Sequence, residues 1–476
     1  MRVSATSCPV QAGARCHYNT QLARRHRFCC RALPFYMYFL YSVLTAAGML
    51  LLSPYLAAKG LRQGKYIRSL RQRMGYVPAE IAAHGIDECG AIWLHAVSVG
   101  EALAALPLAQ LIKQRFPERR LVVSTTTATG QTLVRERMPF AEGVFYFPLD
   151  WNGPVRRTFA AVNPALVLIL ETEIWPNFLR EARRRSVPVV FANARISQRS
   201  FRRYRLARRL VPQFLEQVLS DGEVFLAQSG DDARRLRELG APAERLQVCG
   251  NMKYDLAPPE LGEFGEWLTG QVKEQERWPV VIAGSVVADE EEPVLAGFDS
   301  VQRKWRRALL ILAPRKPERF DTSTQILAES GWNVVRRSQL DLSAPLPEDA
   351  DVVLLDSIGE LAGLYSLADA VFIGGSLVPA GGHNILEPAW FGKPPVFGPS
   401  MENFREMAAN FLNASAGIQV QSGERLGAAW IELIAHQETS QRMGKAARGM
   451  VERNRGASAR SLERIAQILE ARGFRE

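Results

Sequence analysis

GGSLVPAGGHNILEPAWFGKPPVFGPS, residues 374–400, follows the apolar run Ala370–Ile373, which has the make-up of a buried strand. Glycines then lead into His383–Glu387, which reads as a helix start. Glycines let a backbone approach a ligand closely, and free N–H groups at a helix N-terminus attract phosphate. Glu387, one turn inside, is placed to accept hydrogen bonds from ribose hydroxyls. A second turn, Gly392-Lys393-Pro394-Pro395, starts another short strand, Val396–Phe397. Strand, glycine turn, helix and strand in this order imply an α/β protein with parallel strands.

Outward from this unit the alternation continues almost throughout the 476 residues. The first half offers strands at Ile92–Val97, Leu121–Ser124, Val144–Phe147, Ala165–Leu170, Val187–Ala192, Val224–Ala227 and Leu246–Cys249, with helical patterns such as Glu101–Phe116 and Asp231–Leu239 between them. Ala257–Gly262, rich in proline, interrupts the series as a linker. A second series follows at Val280–Ala283, Ala308–Leu312, Val334–Arg336, Val352–Leu355, Ala370–Ile373 and Val396–Phe397. Two such series predict two doubly wound parallel-sheet domains facing a cleft. The boundaries expected are 1–60 for an N-terminal extension and anchor, 61–262 for the first α/β domain and 263–476 for the second. The charged helical stretch from Ser440 is expected to pack back over the first domain.

Charged residues at 23% and apolar ones at 47% are ordinary for a folded α/β protein. The net charge of +10 is uneven, with eleven arginines against three glutamates between Glu171 and Leu210. Such a surface suits nucleic acid, an anionic membrane or a phosphorylated substrate. The cluster has no nucleic-acid-binding motif and no regularly placed stacking aromatics, which argues against the first.

From Ala32 to Ala58 no residue is charged, a run longer than the ~20 residues a membrane-spanning helix needs. No small-residue cleavage site follows, so an uncleaved transmembrane anchor is expected. Lys59, Arg62, Lys65 and Arg68 after it favour a body on the cytoplasmic side. Arginines before the anchor oppose that orientation, and a start at Met37 would remove them. Four of the six cysteines (Cys8, Cys16, Cys29, Cys30) precede the anchor, and the isolated Cys89 and Cys249 make neither disulfide framework nor zinc signature. The six histidines form no metal-ligand spacing, so no metal and no cofactor are expected.

Ligands of doubly wound folds bind at the carboxyl ends of strands, and polar motifs lie there. Ser98-Val99-Gly100-Glu101 puts Glu101 at a helix start, where the dipole favours an ionised carboxylate able to accept a proton. Glu171-Thr172-Glu173 sets two carboxylates at one strand end, and Gly250-Asn251-Met252-Lys253 offers a lysine. Ala313-Pro314-Arg315-Lys316 puts two cations where a phosphate would sit, and Ile358-Gly359-Glu360 opens a helix.

The loop at 374–388 resembles the nucleotide-sugar loop of a GT-B-type glycosyltransferase. Together with SVGE at 98–101, ETEIWPN at 171–177, NARIS at 193–197, GNMKYD at 250–255 and LAPRKPERF at 312–320, it resembles the Kdo (3-deoxy-D-manno-octulosonic acid) transferases of lipopolysaccharide synthesis. The resemblance implies a GT-B fold and an inverting, metal-independent transfer of Kdo from CMP-Kdo to a lipid A precursor, lipid IVA. It implies that Glu101 is the general base, and that Glu171 and Lys253 support the transition state. It assigns Pro314 and Arg315, Ile358, Gly359 and Glu360, and Asn384, Ile385, Leu386 and Glu387 to CMP binding. Lys316 stands where a histidine is frequent in that family and Ala380 where an arginine is, and the region before Met37 lies outside the resemblance. The arginines of 195–210 would then meet an anionic leaflet or lipid A phosphates, or form a solvated face. Two other readings stay open: a GT-B transferase that takes a UDP-sugar, and a membrane-anchored binding protein without catalysis.

Overall fold

The computed structural model describes residues 36–51, 65–83 and 90–473. Two seven-stranded sheets, every pairing in them parallel, organise the chain. The first holds β1 (Ala91–His95), β2 (Leu121–Thr125), β3 (Gly143–Tyr146), β4 (Pro164–Leu170), β5 (Val189–Ala194), β6 (Val224–Ala227) and β7 (Leu246–Val248), in the order β3-β2-β1-β4-β5-β6-β7. The second holds β8 (Val280–Val286), β9 (Leu309–Pro314), β10 (Val334–Arg336), β11 (Val352–Leu354), β12 (Ala370–Ile373), β13 (Pro395–Phe397) and β14 (Ile418–Gln419), in the order β10-β11-β9-β8-β12-β13-β14. Strand order reverses between β1 and β4 and again between β8 and β12. At these points the flanking helices leave on opposite faces and open a crevice at the strands' carboxyl ends.

The central strands read as continuous apolar runs because helices cover both their faces. Ile92, Trp93 and Leu94 of β1 and Leu310, Ile311 and Leu312 of β9 have no exposed surface. Trp93 anchors one face of the first sheet, its ring 5.1–5.9 Å from those of Phe145, Phe147, Phe159 and Phe178. The chain's last helix, Ala457–Glu470, buries Ala457, Ile465 and Leu469 in the first sheet's core rather than the second's. Asp255 fixes that return, its carboxylate accepting the N–H groups of Gly456 and Ser458 at 2.6 Å.

The structure differs from expectation in four places. The helix Gln437–Asn454, expected to lie over the first domain, buries Ala447 and Val451 in the second domain's core, and only Ala457–Glu470 crosses over. β14, two residues long, is too short for a periodicity to show. The helix expected from His383 begins at Leu386 and ends at Trp390, because Asn384 first turns the chain by accepting the Leu386 N–H. At the N-terminus, residues 36–51 are helical, and among the described residues no helix is long and apolar enough to cross a membrane. The expected anchor's two ends, the cysteines at 8, 16, 29, 30 and 89, and the basic residues at 59 and 62 lie outside the described residues. One side of the 36–51 helix docks on the first domain: Tyr38 donates to Asp221 at 3.0 Å and packs on Phe214, and Asn177 donates to Ser42. Phe39, Leu40, Val43, Leu44, Leu50 and Leu51 face outward.

Candidate active site

The first crevice gathers its charge from three strand ends. Glu101 sits in the first turn of the helix Val99–Arg115, after β1. Its carboxylate folds back over the turn, accepting the Val97 N–H at 2.7 Å and the Ser98 hydroxyl at 3.3 Å. The helix start alone would favour the anion, yet burial, the charge of Glu171 and that of Glu173 lift the Glu101 carboxyl to about 8, with the Val97 N–H and Ser98 opposing. The helix start was expected to keep Glu101 deprotonated, and burial beside Glu171 works against that.

Glu171 follows β4 directly in the left-handed backbone region, φ 56°, its N–H donated to the Ala192 carbonyl. Such a conformation costs a non-glycine residue ~1–3 kcal/mol, and it is concentrated at functional sites. Lys253 lies on the short turn Met252–Asp255 after β7, its ammonium 3.9 Å from a Glu171 oxygen. Burial loosens the Lys253 proton relative to a free lysine, Glu171 opposes this, and Arg195 adds to it. That turn is set by Asn193, itself left-handed at φ 55°, whose side-chain oxygen accepts the Met252 N–H. Thr172 accepts the Arg195 N–H and ties the ends of β4 and β5 together. The fold thus brings Glu101, Glu171 and Lys253 into one electrostatic cluster with Glu173, the second carboxylate of the 171–173 motif, and adds Arg195, which the sequence pattern did not single out.

The second crevice is built on β8, β9 and β12. Arg315 follows β9 directly and is exposed, with Lys316 beside it. Its guanidinium acts on both His383 and Glu387. Burial first, then Arg315, lowers the His383 imidazole to about 4, so the ring is neutral at physiological pH. Its Nε2 has no hydrogen-bond partner among the described residues. Glu387, partly buried, has its carboxyl raised by burial against the pull of the Asn384 amide, which donates to it at 3.2 Å, and of Arg315. Ile358, 82% exposed, and Gly359, φ 99°, project from the loop after β11. Glu360 does not project with them, because Arg337 grips its carboxylate from two nitrogens at 3.1–3.3 Å. Pro314 ends β9, and Ile385 and Leu386 are wholly buried, so these three contribute backbone and packing rather than side chains to the crevice.

The glycines of 374–382 serve a purpose other than the one expected. Glu290, completely buried, accepts four backbone N–H groups: Gly375 at 2.6 Å, Ser376 and Leu377 at 2.9 Å, and Val287 at 3.1 Å. These amides point into the protein at a carboxylate and not outward at a phosphate. A Cβ on Gly374 would lie 2.3 Å from the Ser285 carbonyl oxygen, and one on Gly375 2.9 Å from the His383 ring. The glycines therefore let two strand ends and the His383 ring pack together. Nothing in Asp289-Glu290-Glu291-Glu292 marked Glu290, since any helix may begin with acidic residues. Among the described residues no three ligating side chains converge to hold a metal ion.

Comparison with known proteins adds a family. Residues 68–256 match the family described as 3-deoxy-D-manno-octulosonic-acid transferase (kdotransferase). The 3-deoxy-D-manno-octulosonic acid transferase of Haemophilus influenzae is 33% identical over 440 residues, 91% of this chain and 99% of the relative. The transferase of that name from Bordetella pertussis is 32% identical over 388 residues, 79% of this chain and 86% of the relative. Among solved structures, the UDP-GlcNAc 2-epimerase of Neisseria meningitidis bound to UDP-GlcNAc aligns over 79% of this chain and 100% of its own, with TM-score 0.53 and 13% identity. That likeness is one of fold, and supports the GT-B arrangement of two facing α/β domains.

Proposed function

The chain belongs to the family of 3-deoxy-D-manno-octulosonic acid transferases, and from that premise we propose that it moves Kdo from CMP-Kdo to lipid IVA, a lipid A precursor, with inversion and release of CMP. One observation carries the reading: Glu101 holds a proton near neutrality in a crevice shared with Glu171 and Lys253. A carboxylate of that basicity suits the removal of a proton from a sugar hydroxyl. In the proposed step the acceptor hydroxyl oxygen attacks the anomeric carbon of Kdo as its proton passes to Glu101. The bond from that carbon to the CMP phosphate oxygen breaks, and the electron pair leaves with CMP. Arg315 and Lys316 meet the charge gathering on that phosphate. His383, neutral and with Nε2 unengaged, supplies one hydrogen bond to the donor, and Asn384 with Glu387 lines the nucleoside side. Lys253 offsets the charge of Glu171 beside the reacting centre.

The test is direct. Purified protein is incubated with CMP-Kdo and lipid IVA beside Glu101→Gln, and lipid mass is followed. The wild type is expected to add Kdo and the variant to add none while still binding CMP. A protein that binds UDP in preference to CMP would overturn the donor, and binding of CMP without any Kdo gain would overturn the acceptor.

The reading extends to a body resting on the cytoplasmic side of the bacterial inner membrane. The outward apolar side chains of the 36–51 helix support it, being more contiguous than a soluble surface usually tolerates. So does the helix Gln198–Leu210, where Arg202, Arg203 and Arg209 are exposed beside Leu206 and Leu210, whereas Arg208 is engaged by Glu216. Each basic residue near an anionic leaflet contributes about 1 kcal/mol. Charge reversal of Arg202, Arg203 and Arg209 is expected to lower flotation with anionic vesicles, and undiminished flotation would retire this contact.

A further inference from the structure

The segment after β13 belongs by chain to the second domain, yet it touches both crevices. Toward its own domain it is fastened to the 374–388 loop. Gly381 donates its N–H to Ser400 Oγ at 2.9 Å, and Asn403 donates its N–H to the Gly381 carbonyl at 2.9 Å. A Cβ on Gly381 would lie 2.5 Å from the Asn403 amide nitrogen, and one on Gly382 would lie 2.3 Å from the Met401 sulfur. Toward the first domain it is engaged at three separate places. Arg195 donates to the Asn403 carbonyl at 2.8 Å. The Lys253 ammonium lies 5.3 Å from the centre of the Phe404 ring. Glu406 lies in the field of Asp232, Asp231 and Arg235 of the first domain.

Lys253 needs such a contact. Its ammonium is largely enclosed, and its carboxylate partner, Glu171, stands at 3.9 Å, the outer edge of an ion pair. A buried charge is tolerated only when other groups replace its lost hydration. An aromatic face does this for an ammonium within about 6 Å of the ring centre. We propose that Phe404 is a positioning residue: its ring holds the Lys253 ammonium beside Glu171 across the cleft. Through Asn403 and Gly381 the same segment joins that contact to the loop bearing His383 and Asn384. The first crevice is then complete only when the second domain lies against it. Placing Lys253 in catalysis rests on the transfer proposed above, whereas the contact itself does not.

The test separates the two. Reductive dimethylation with formaldehyde and borohydride, read by peptide mass spectrometry, reports how accessible the Lys253 amine is and requires no substrate. Phe404→Leu keeps an apolar side chain without a π face, and Phe404→Tyr restores the face. Lys253 is expected to label several-fold faster in Phe404→Leu than in wild type, and at the wild-type rate in Phe404→Tyr. In the transfer assay, Phe404→Leu is expected to lower kcat about tenfold, the scale of a desolvated cation–π contact. Its CMP affinity by calorimetry is expected to be unchanged, and Phe404→Tyr to recover the rate. Should Phe404→Leu misfold by circular dichroism, Arg195→Lys opens the bridge from the other side and is expected to raise Lys253 labelling too. Equal labelling of Lys253 in wild type and variants overturns the proposal. If the wild type transfers no Kdo, the functional reading falls, and the labelling pattern alone decides the role of Phe404.

Discussion

Glu101 and Glu290 occupy matching places in the two halves of the molecule. Each follows the first strand of its sheet, beside the point where strand order reverses, and each stands at the start of a helix. Their surroundings differ in one respect. Glu290 accepts four backbone N–H groups, which occupy both its oxygens and stitch the glycine turn to β8. Glu101 accepts one N–H and one hydroxyl while facing two other carboxylates. A carboxylate saturated with donors is architecture, and one short of donors among like charges is available for proton transfer. Residue type and position in the fold are the same, and the count of donors separates the roles.

The comparison can be broken most decisively at Glu101. Glu101→Gln keeps the fold and removes the base, so the transfer rate is expected to fall ~10³-fold, within the range of general-base contributions. A variant within tenfold of wild type would mean that another group takes the proton. At Glu290 the expected damage is structural. Glu290→Ala strands four buried N–H groups, lowering stability by about 3 kcal/mol in urea titration and weakening CMP binding about tenfold. Unchanged stability would show that water or a neighbour replaces the carboxylate at little cost.

The finest contrast lies in pH. The base acts ionised, so kcat/KM is expected to rise with pH and level off above about 8, the value to which the Glu101 carboxyl is lifted. A rate already flat at pH 6 would contradict this. Stability runs the other way. The folded-state value exceeds the ordinary 4.5, so the protonated carboxyl favours the fold fully below that value, and the contribution is lost as pH climbs through about 8. Glu101→Gln is therefore expected to raise Tm by about 2–4 °C at pH 9 and leave it unchanged at pH 4.5. Glu290→Gln, which breaks a satisfied network, is expected to lower Tm at both.

Much of the fold was legible in the residues. Parallel strands buried on both faces are unbroken apolar runs, so Val224–Ala227 and Ala370–Ile373 are found where the pattern puts them. Glu101 and Glu171 were legible because each follows such a run, and Lys253 because it follows the short edge strand Leu246–Val248. Glu173 and Arg195 stand in quoted motifs, yet only the packing of their strand ends draws them to the cluster. Ile385 and Leu386 were assigned to the donor site and prove to be core, since a turn's sequence does not say which side chains it turns inward. Glu290 and Phe404 left no signal, because acidic first turns and lone aromatics are commonplace.

The order of apolar runs and breakers by itself determined two successive parallel-sheet domains, and the motifs at the strand ends determined the family. Tertiary structure decided which glutamate binds protons near neutrality and which is locked in backbone hydrogen bonds. It also decided that a phenylalanine 151 positions beyond Lys253 lies over that lysine's ammonium. The physical reason is range. Strand formation depends on neighbours along the chain, whereas proton affinity depends on burial and on charges that only folding brings within a few ångströms.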